Sequence, residues 1–214
     1  MFDCTELEAR GWTCVTGITD RSNLLELARS VGKPVPSPTG ALVRELAPTP
    51  RPNARKGTLS DGYGLGSFPL HTDTAFWPLP SRYIVLRVRG DTRRPTTIVA
   101  FAELFREQAP HLVALANRSV WRIRIPSISF YCSMRFRQGE VTGWRYDSQC
   151  MSPANGAAAK LQERLGPLLS SSRVDKIAWT GDLAVVLCNW RVLHGRGPSP
   201  TNETSRILER VYVE

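Results

Sequence analysis

The sequence predicts a mainly β protein with flanking helices (α+β), a sandwich or jelly roll rather than a doubly wound sheet. Three observations predict it. Short β-branched and aromatic runs crowd the chain from Arg82 onward, only three segments look helical, and the two types do not alternate one for one. A length of 214 residues suits one full core, so 1–214 is expected to be a single domain.

In chain order, residues 12–16 alternate as a short strand. Residues 21–31 form the first helix, because Asp20 in front can cap its free amides and Gly32 behind can end it. A proline-rich passage, 33–52, is interrupted by the strand-like Ala41-Leu42-Val43-Arg44-Glu45-Leu46. Residues 57–66 are glycine-rich with no apolar periodicity and are expected to be a mobile loop. Strands follow at 83–88, 120–125, 127–131, 176–179, 183–187 and 205–213. Two helices separate them, at 100–116 and 154–169, the second opened by Ser152-Pro153.

The net charge of +9 suits nucleic acid in principle, since neutralised phosphates release counterions. The arginines argue otherwise. Arg87 and Arg89, Arg122 and Arg124, and Arg135 and Arg137 stand two apart in apolar stretches, as on strands with one solvated polar face, and no nucleic-acid-binding motif accompanies them. The opening Met1-Phe2-Asp3-Cys4-Thr5-Glu6 lacks a basic, then apolar, leader, and no apolar run approaches the roughly 20 residues of a membrane span. A cytoplasmic protein without a membrane partner is expected. The five cysteines, Cys4, Cys14, Cys132, Cys150 and Cys188, have no metal-finger spacing and are expected to be free buried thiols. Two glycosylation-type triplets, at Asn117 and Asn202, carry no weight without a leader. No heptad or apolar stripe marks an oligomer.

The chemistry is concentrated in three places. In Phe68-Pro69-Leu70-His71-Thr72-Asp73, an imidazole and a carboxylate two apart on an extended segment face one point and can share a metal, although a salt-linked pair has the same spacing. In residues 183–196, ending Asn189-Trp190-Arg191-Val192-Leu193-His194-Gly195-Arg196, a strand runs into a histidine and a glycine turn. His194 completes two histidines and one carboxylate, the facial set that leaves adjacent positions open on Fe(II) for O2 chemistry. In Ser205-Arg206-Ile207-Leu208-Glu209-Arg210, a guanidinium near the metal can grip a carboxylate with two parallel hydrogen bonds, which would anchor a keto-acid cosubstrate. The third histidine, His111, has no acidic partner at metal spacing and is expected at the surface.

Together, His71-Thr72-Asp73, a threonine some two dozen residues later, NWRVLHGR and RILER resemble the taurine dioxygenase (TauD/TfdA) family of Fe(II)/2-oxoglutarate oxygenases along nearly the whole chain. The resemblance implies a double-stranded β-helix, a cupin-like jelly roll, with His71, Asp73 and His194 as catalytic iron ligands at one open end. It also implies that Arg206 binds the distal carboxylate of 2-oxoglutarate, helped by Thr97. The family's preceding Gly-Gly is here Arg94-Pro95, so the threonine can equally be Thr96. Arg210 resembles the second family arginine, which faces cosubstrate or an anionic substrate. The implied reaction consumes O2, releases succinate and CO2, and hydroxylates, desaturates or cyclises a small molecule, amino-acid-like or a natural-product intermediate. Halogenation is disfavoured, because halogenases of this type lack the carboxylate that Asp73 supplies.

Substrate contacts are expected from Tyr63 in the 57–68 lid, from Phe76 and Trp77 past Asp73, and from Trp190, with plain packing as each one's alternative. Arg145 and Asp147 share a strand orientation that can read a zwitterionic substrate or form a structural salt bridge. Asn189 and Arg196 either shape the turn around His194 or line the pocket. Two rivals remain at this stage, a zinc hydrolase on the same three ligands and a non-catalytic basic binding module.

Overall fold

A helix not foreseen in the sequence opens the chain in the computed structural model, which describes residues 3–56, 58–90, 92–105, 109–198 and 206–214. This helix, α1 (Cys4–Arg10), starts where the Asp3 carboxylate accepts from the amides of Thr5 and Glu6 and stops at Gly11, whose φ of 83° suits glycine. After β1 (Trp12–Val15) comes α2 (Arg21–Val31), capped as expected by Asp20 through the amide of Asn23. β2 (Pro34–Val35) and β3 (Val43–Leu46) follow. The expected 57–66 loop contains a short helix, α3 (Leu59–Tyr63), too brief to show periodicity, and Gly57 lies outside the described residues.

The central strands are β4 (Phe68–His71), β5 (Tyr83–Arg89) and β6 (Thr96–Ala100). The helix expected over 100–116 is two helices, α4 (Phe101–Leu104) and α5 (Ala109–Arg118), with 106–108 outside the described residues. Then come β7 (Val120–Ile125), β8 (Ile128–Ser133), β9 (Arg135–Gln138), β10 (Val141–Trp144) and β11 (Met151–Pro153). Ser152 and Pro153 therefore end a strand, and α6 (Gly156–Ser171) is opened by Asn155, whose side chain accepts from the Ala158 amide. β12 (Asp175–Ile177), β13 (Ala184–Cys188), β14 (Val192–Arg196) and β15 (Ile207–Val213) complete the chain. The run read as one strand into His194 is thus two strands, with His194 in the middle of the second.

The large antiparallel sheet has the order β1-β13-β5-β15-β2, with β3 also on β15; the smaller one has the order β12-β6-β14-β4. Their inner faces meet through Ile84, Leu86, Val185, Leu187 and Tyr212 on one side and Ile98, Ile177 and Val192 on the other. Each such fully buried aliphatic contributes roughly 2 kcal/mol by leaving water. Helices α1 and α2 cover the outer face of the large sheet, setting Leu7, Leu24 and Leu27 on Val85, Val186 and Val211. Leu112 of α5 and Leu161 and Leu165 of α6 share a further core with Trp121 and Ile123 of β7 and with Val99 and Leu193, which point outward from the small sheet. Two facing sheets with helices outside give the expected jelly roll.

Arg87 departs from the solvated face expected of it. It is buried under α2 and donates to Glu209 at 2.7 Å, while Arg21 reaches Glu209 at 3.3 Å and Arg89 reaches Glu45 at 3.0 Å. Arg122 and Arg124 are exposed, as the alternation on β7 requires. All five cysteines are free, with Cys150 and Cys188 buried but Cys4 and Cys14 exposed, contrary to expectation. No described helix is long and apolar enough to cross a membrane.

Candidate metal centre

β4 and β14 are neighbours in register, with His71 opposite His194, so both imidazoles project inward from adjacent strands. Their ring centroids are 4.7 Å apart. The chain turns immediately after His71 and brings Asp73 back beneath both rings, with Oδ1 3.5 Å from His71 Nε2 and Oδ2 3.7 Å from His194 Nε2. The three ligand atoms lie within 4.8 Å of one another, and all three residues are buried.

The donor set fits a divalent metal. His71 Nδ1 lies 2.9 Å from the Pro69 carbonyl oxygen and donates to it, which fixes the tautomer that leaves the Nε2 lone pair facing Asp73. Burial lowers the pKa of His194 and so favours the neutral, ligating imidazole. For His71 burial acts in the same sense, but the hydrogen bond and charge of Asp73 outweigh it and raise the pKa in the metal-free protein. Burial likewise opposes ionisation of Asp73 and is overcome by Arg210 and both histidines, which hold the carboxyl well below its usual range. The Arg210 guanidinium donates to Asp73 Oδ2 at 2.5 Å.

A cluster of cations lies beside the centre. Arg206 is buried and lies by strand alternation on the inner face of β15 with Arg210, and its Nη1 is 3.4 Å from the carbonyl of Arg94. Burial, then the charges of Arg94 and Arg206, push the pKa of Arg196 down to about 9. A guanidinium remains charged at neutral pH, so three like charges gather here. Arg94 and Arg196 also hold the carbonyl of Gly66, and Arg196 stacks over Phe68 at 3.5 Å.

The pairing of β6 with β14 sets the two threonines on opposite faces. His194 stands opposite Ile98, so Thr96, two residues away, shares the inward face, and Thr97 points outward beside Gly195. The inward hydroxyl is therefore that of Thr96, one of the two expected candidates. Thr96 Oγ1 accepts from the indole of Trp179 at 3.2 Å, which leaves the hydroxyl proton to be donated.

No protein-family profile matches this sequence, and no curated protein matches it. Solved structures do. Asparagine oxygenase in complex with Fe(II), 2S,3S-3-hydroxyasparagine and succinate superposes with a TM-score of 0.73 at 17% identity, over 95% of this chain and 74% of its own. The non-haem iron oxygenase OrfP with Fe, succinate and (3S)-hydroxy-L-Arg gives 0.73 at 20% identity, over 97% and 76%. OrfP with Fe and alpha-ketoglutaric acid gives 0.71 at 20%, over 97% and 77%. The chain shares the jelly-roll fold of these structures.

On that fold several expected substrate contacts lie elsewhere. Arg145 is buried and its guanidinium donates to the carbonyls of Ala75, Trp77 and Pro78 at 3.3, 2.8 and 2.9 Å, so it holds the turn after Asp73 rather than facing a ligand. Trp190 is buried in the layer beneath α1 and α2, donates to the Pro80 carbonyl at 2.8 Å and packs edge-on against Phe136. Phe76 packs against the core shared by α5 and α6. His111 is exposed, as expected.

The other three expected contacts have these surroundings. Trp77 packs edge-on against Tyr212 at 5.5 Å, Asp147 is close enough to His71 to raise its pKa, and the Tyr63 hydroxyl accepts from Gln149 at 3.2 Å. Sequence reasoning missed Arg44, which lies opposite Arg210 on β3 and so faces inward with it. The alternation of Arg44 with Val43, which packs outward beneath α2, was the available signal.

Proposed function

We propose that this chain is an Fe(II)- and 2-oxoglutarate-dependent oxygenase, acting as one domain over 1–214, that hydroxylates a small amino-acid-like substrate or desaturates or cyclises it. The observation that carries this is the buried convergence of His71, Asp73 and His194 beside a cluster of inward arginines. A zinc hydrolase leaves that cluster without a role. A basic binding module leaves unexplained the three buried ligands.

His71 Nε2, Asp73 and His194 Nε2 would hold Fe(II) on one face. Bound there, the metal supplies O2 activation coupled to decarboxylation of 2-oxoglutarate to succinate and CO2, which oxidises a substrate C–H bond. Arg206 grips the distal carboxylate of the cosubstrate, and Thr96 donates its hydroxyl proton to the same group. Arg94 and Arg196 add positive potential and hold the Gly64–Gly66 turn beside it through backbone carbonyls. Burial of all three ligands keeps bulk water from the reacting centre.

The substrate reading rests on opposed charges. Asp147 on the His71 side suits an ammonium, and Arg44 with Arg210 on the β15 side suits a carboxylate. Asparagine oxygenase and OrfP, which share the fold, hold hydroxylated amino acids. A small molecule suits this site better than nucleic acid, since Arg21, Arg87 and Arg89 are engaged with Glu45 and Glu209. Five unpaired cysteines fit the reducing cytoplasm.

Anaerobic titration of Fe(II) and 2-oxoglutarate into the apoprotein tests this through the visible metal-to-ligand charge-transfer band. A band that is absent in His194→Ala and weakened in Arg206→Ala supports the assignment. Fully metallated wild type without a band would sink it.

A further inference from the structure

Asp73 belongs to no strand. β4 ends at His71, and the polypeptide must reverse within two residues while aiming one carboxylate oxygen at each imidazole. The hydrogen-bond ladder between β4 and β14 fixes both histidines but does not reach Asp73. Its direction has to be set by something else.

Asn189, fully buried in the turn between β13 and β14, meets that need. Its Oδ1 accepts from the Asp73 amide at 3.0 Å, and its Nδ2 donates to the Asp73 carbonyl at 2.9 Å and to the Ser81 carbonyl at 2.8 Å. One planar amide thus grips the main chain on both sides of the Asp73 Cα and ties it to the start of β5. Thr74 grips the same carbonyl from the other side. Its hydroxyl donates to Asp73 O at 2.6 Å and accepts from the Ser81 amide at 2.9 Å. Thr74 has a φ of 54°, a conformation costly for a β-branched residue, which the surrounding bonds sustain.

We propose that Asn189 is a positioning residue for the metal centre, holding the Asp73 backbone so that its carboxylate divides between His71 and His194. The inference rests on the metal reading above. Asparagine is required because the contact needs an acceptor and two donors in one plane: aspartate supplies no donor, leucine neither, and glutamine is one methylene too long for a fully buried site. The turn brings Asn189 to Asp73 across 116 positions of sequence, and the same turn sets His194 five residues later on β14. One short segment therefore orients two of the three ligands, one directly and one through the backbone of another element.

The test uses the full chain and Co(II) as the metal probe. Wild type, Asn189→Ala, the milder Asn189→Ser and a core control, Leu161→Ala on α6, are compared for apoprotein stability in urea, for Co(II) affinity against a chelator, and for the Co(II) d–d spectrum. Removing a group that orients a ligand costs roughly 10–100-fold in metal affinity. The Asn189 variants are expected to lose that much and to shift the d–d bands, whereas Leu161→Ala loses stability with affinity and spectrum unchanged. Should Asn189→Ala fail to fold, the same comparison is made on Asn189→Ser. Folded Asn189 variants with wild-type affinity and spectrum overturn the inference alone. A wild type that binds no Co(II) overturns the metal reading and the inference together.

Discussion

Arg210 reaches across from the inner face of β15 to donate to the very Asp73 oxygen that also lies 3.7 Å from His194 Nε2. The guanidinium is the counter-charge of a carboxylate buried away from water. Removing one partner of such a pair costs about 3 kcal/mol, because the other stays buried and unpaired. Arg210→Met should lower apoprotein stability by about that amount. A divalent ion supplies a replacement charge, so Co(II) should recover most of the loss. Equal deficits in urea with and without Co(II) would show that Asp73 is not a metal ligand.

The inward register of Thr96 separates it from its neighbour. A hydrogen bond to a charged group contributes about 1.5–3 kcal/mol, so Thr96→Val should weaken 2-oxoglutarate binding by roughly tenfold or more. Thr97→Val should leave it nearly unchanged. Calorimetric titration of the metallated protein reads both, and the reverse pattern would reject the assignment of the inner face.

Gly195 lies where the backbone of β14 packs tightly against that of β4. A Cβ there would stand 2.8 Å from the Phe68 carbonyl oxygen and 3.1 Å from that of Pro69, the acceptor that fixes His71. Backbone cannot yield as a flexible side chain can. Gly195→Ala is therefore expected to destabilise the fold by about 1–3 kcal/mol and to weaken metal binding more than a core variant of equal stability does. Unchanged Co(II) affinity would contradict this.

Arg145 distinguishes a clamp from a ligand contact. Arg145→Met strands three backbone carbonyls in the turn after Asp73, at a cost of about 2–4 kcal/mol. Lysine cannot span all three and should rescue little. A variant of wild-type stability in urea whose only defect is a raised substrate KM would restore the substrate-binding role.

The thiols should react in order of access. Burial pushes the Cys150 thiol pKa up, with Asp147 adding to the effect, and Cys188 is raised by burial as well. With iodoacetamide at about pH 8, Cys4 should be alkylated in the native protein and Cys150 and Cys188 only on unfolding. Peptide mass spectrometry over time checks the order, and early labelling of Cys150 would contradict its burial.

The candidate metal ligands were legible because each is carried by a local signal, a histidine and a carboxylate two apart and a second histidine behind an apolar run. The turn inside that run was not, since Asn189, Trp190 and Arg191 interrupt the apolar residues on either side too briefly for periodicity to mark where the chain reverses. Thr96 and Thr97 differ by one position, and only the pairing with β14 says which faces inward. Arg145 and Trp190 were left between a structural and a pocket role for a related reason. A sequence shows that a polar or aromatic side chain is present, but the Ala75, Trp77, Pro78 and Pro80 carbonyls that receive them come from a distant turn. Asn189 had its place in the motif, and its partner lay 116 residues away.

The two histidines stand on strands of unequal security. β14 is flanked on both sides by β6 and β4, whereas β4 is the edge of its sheet and, over its four residues, ladders only with β14. Edge strands fray first, and their amides exchange with solvent through small openings that leave the rest of the molecule intact. An ion shared between His71 and His194 would act as a rivet through that seam. Slow exchange of the Leu70 and His71 amides would then report occupancy of the site, and departure of the ion would begin with β4 peeling away while His194 stays in place.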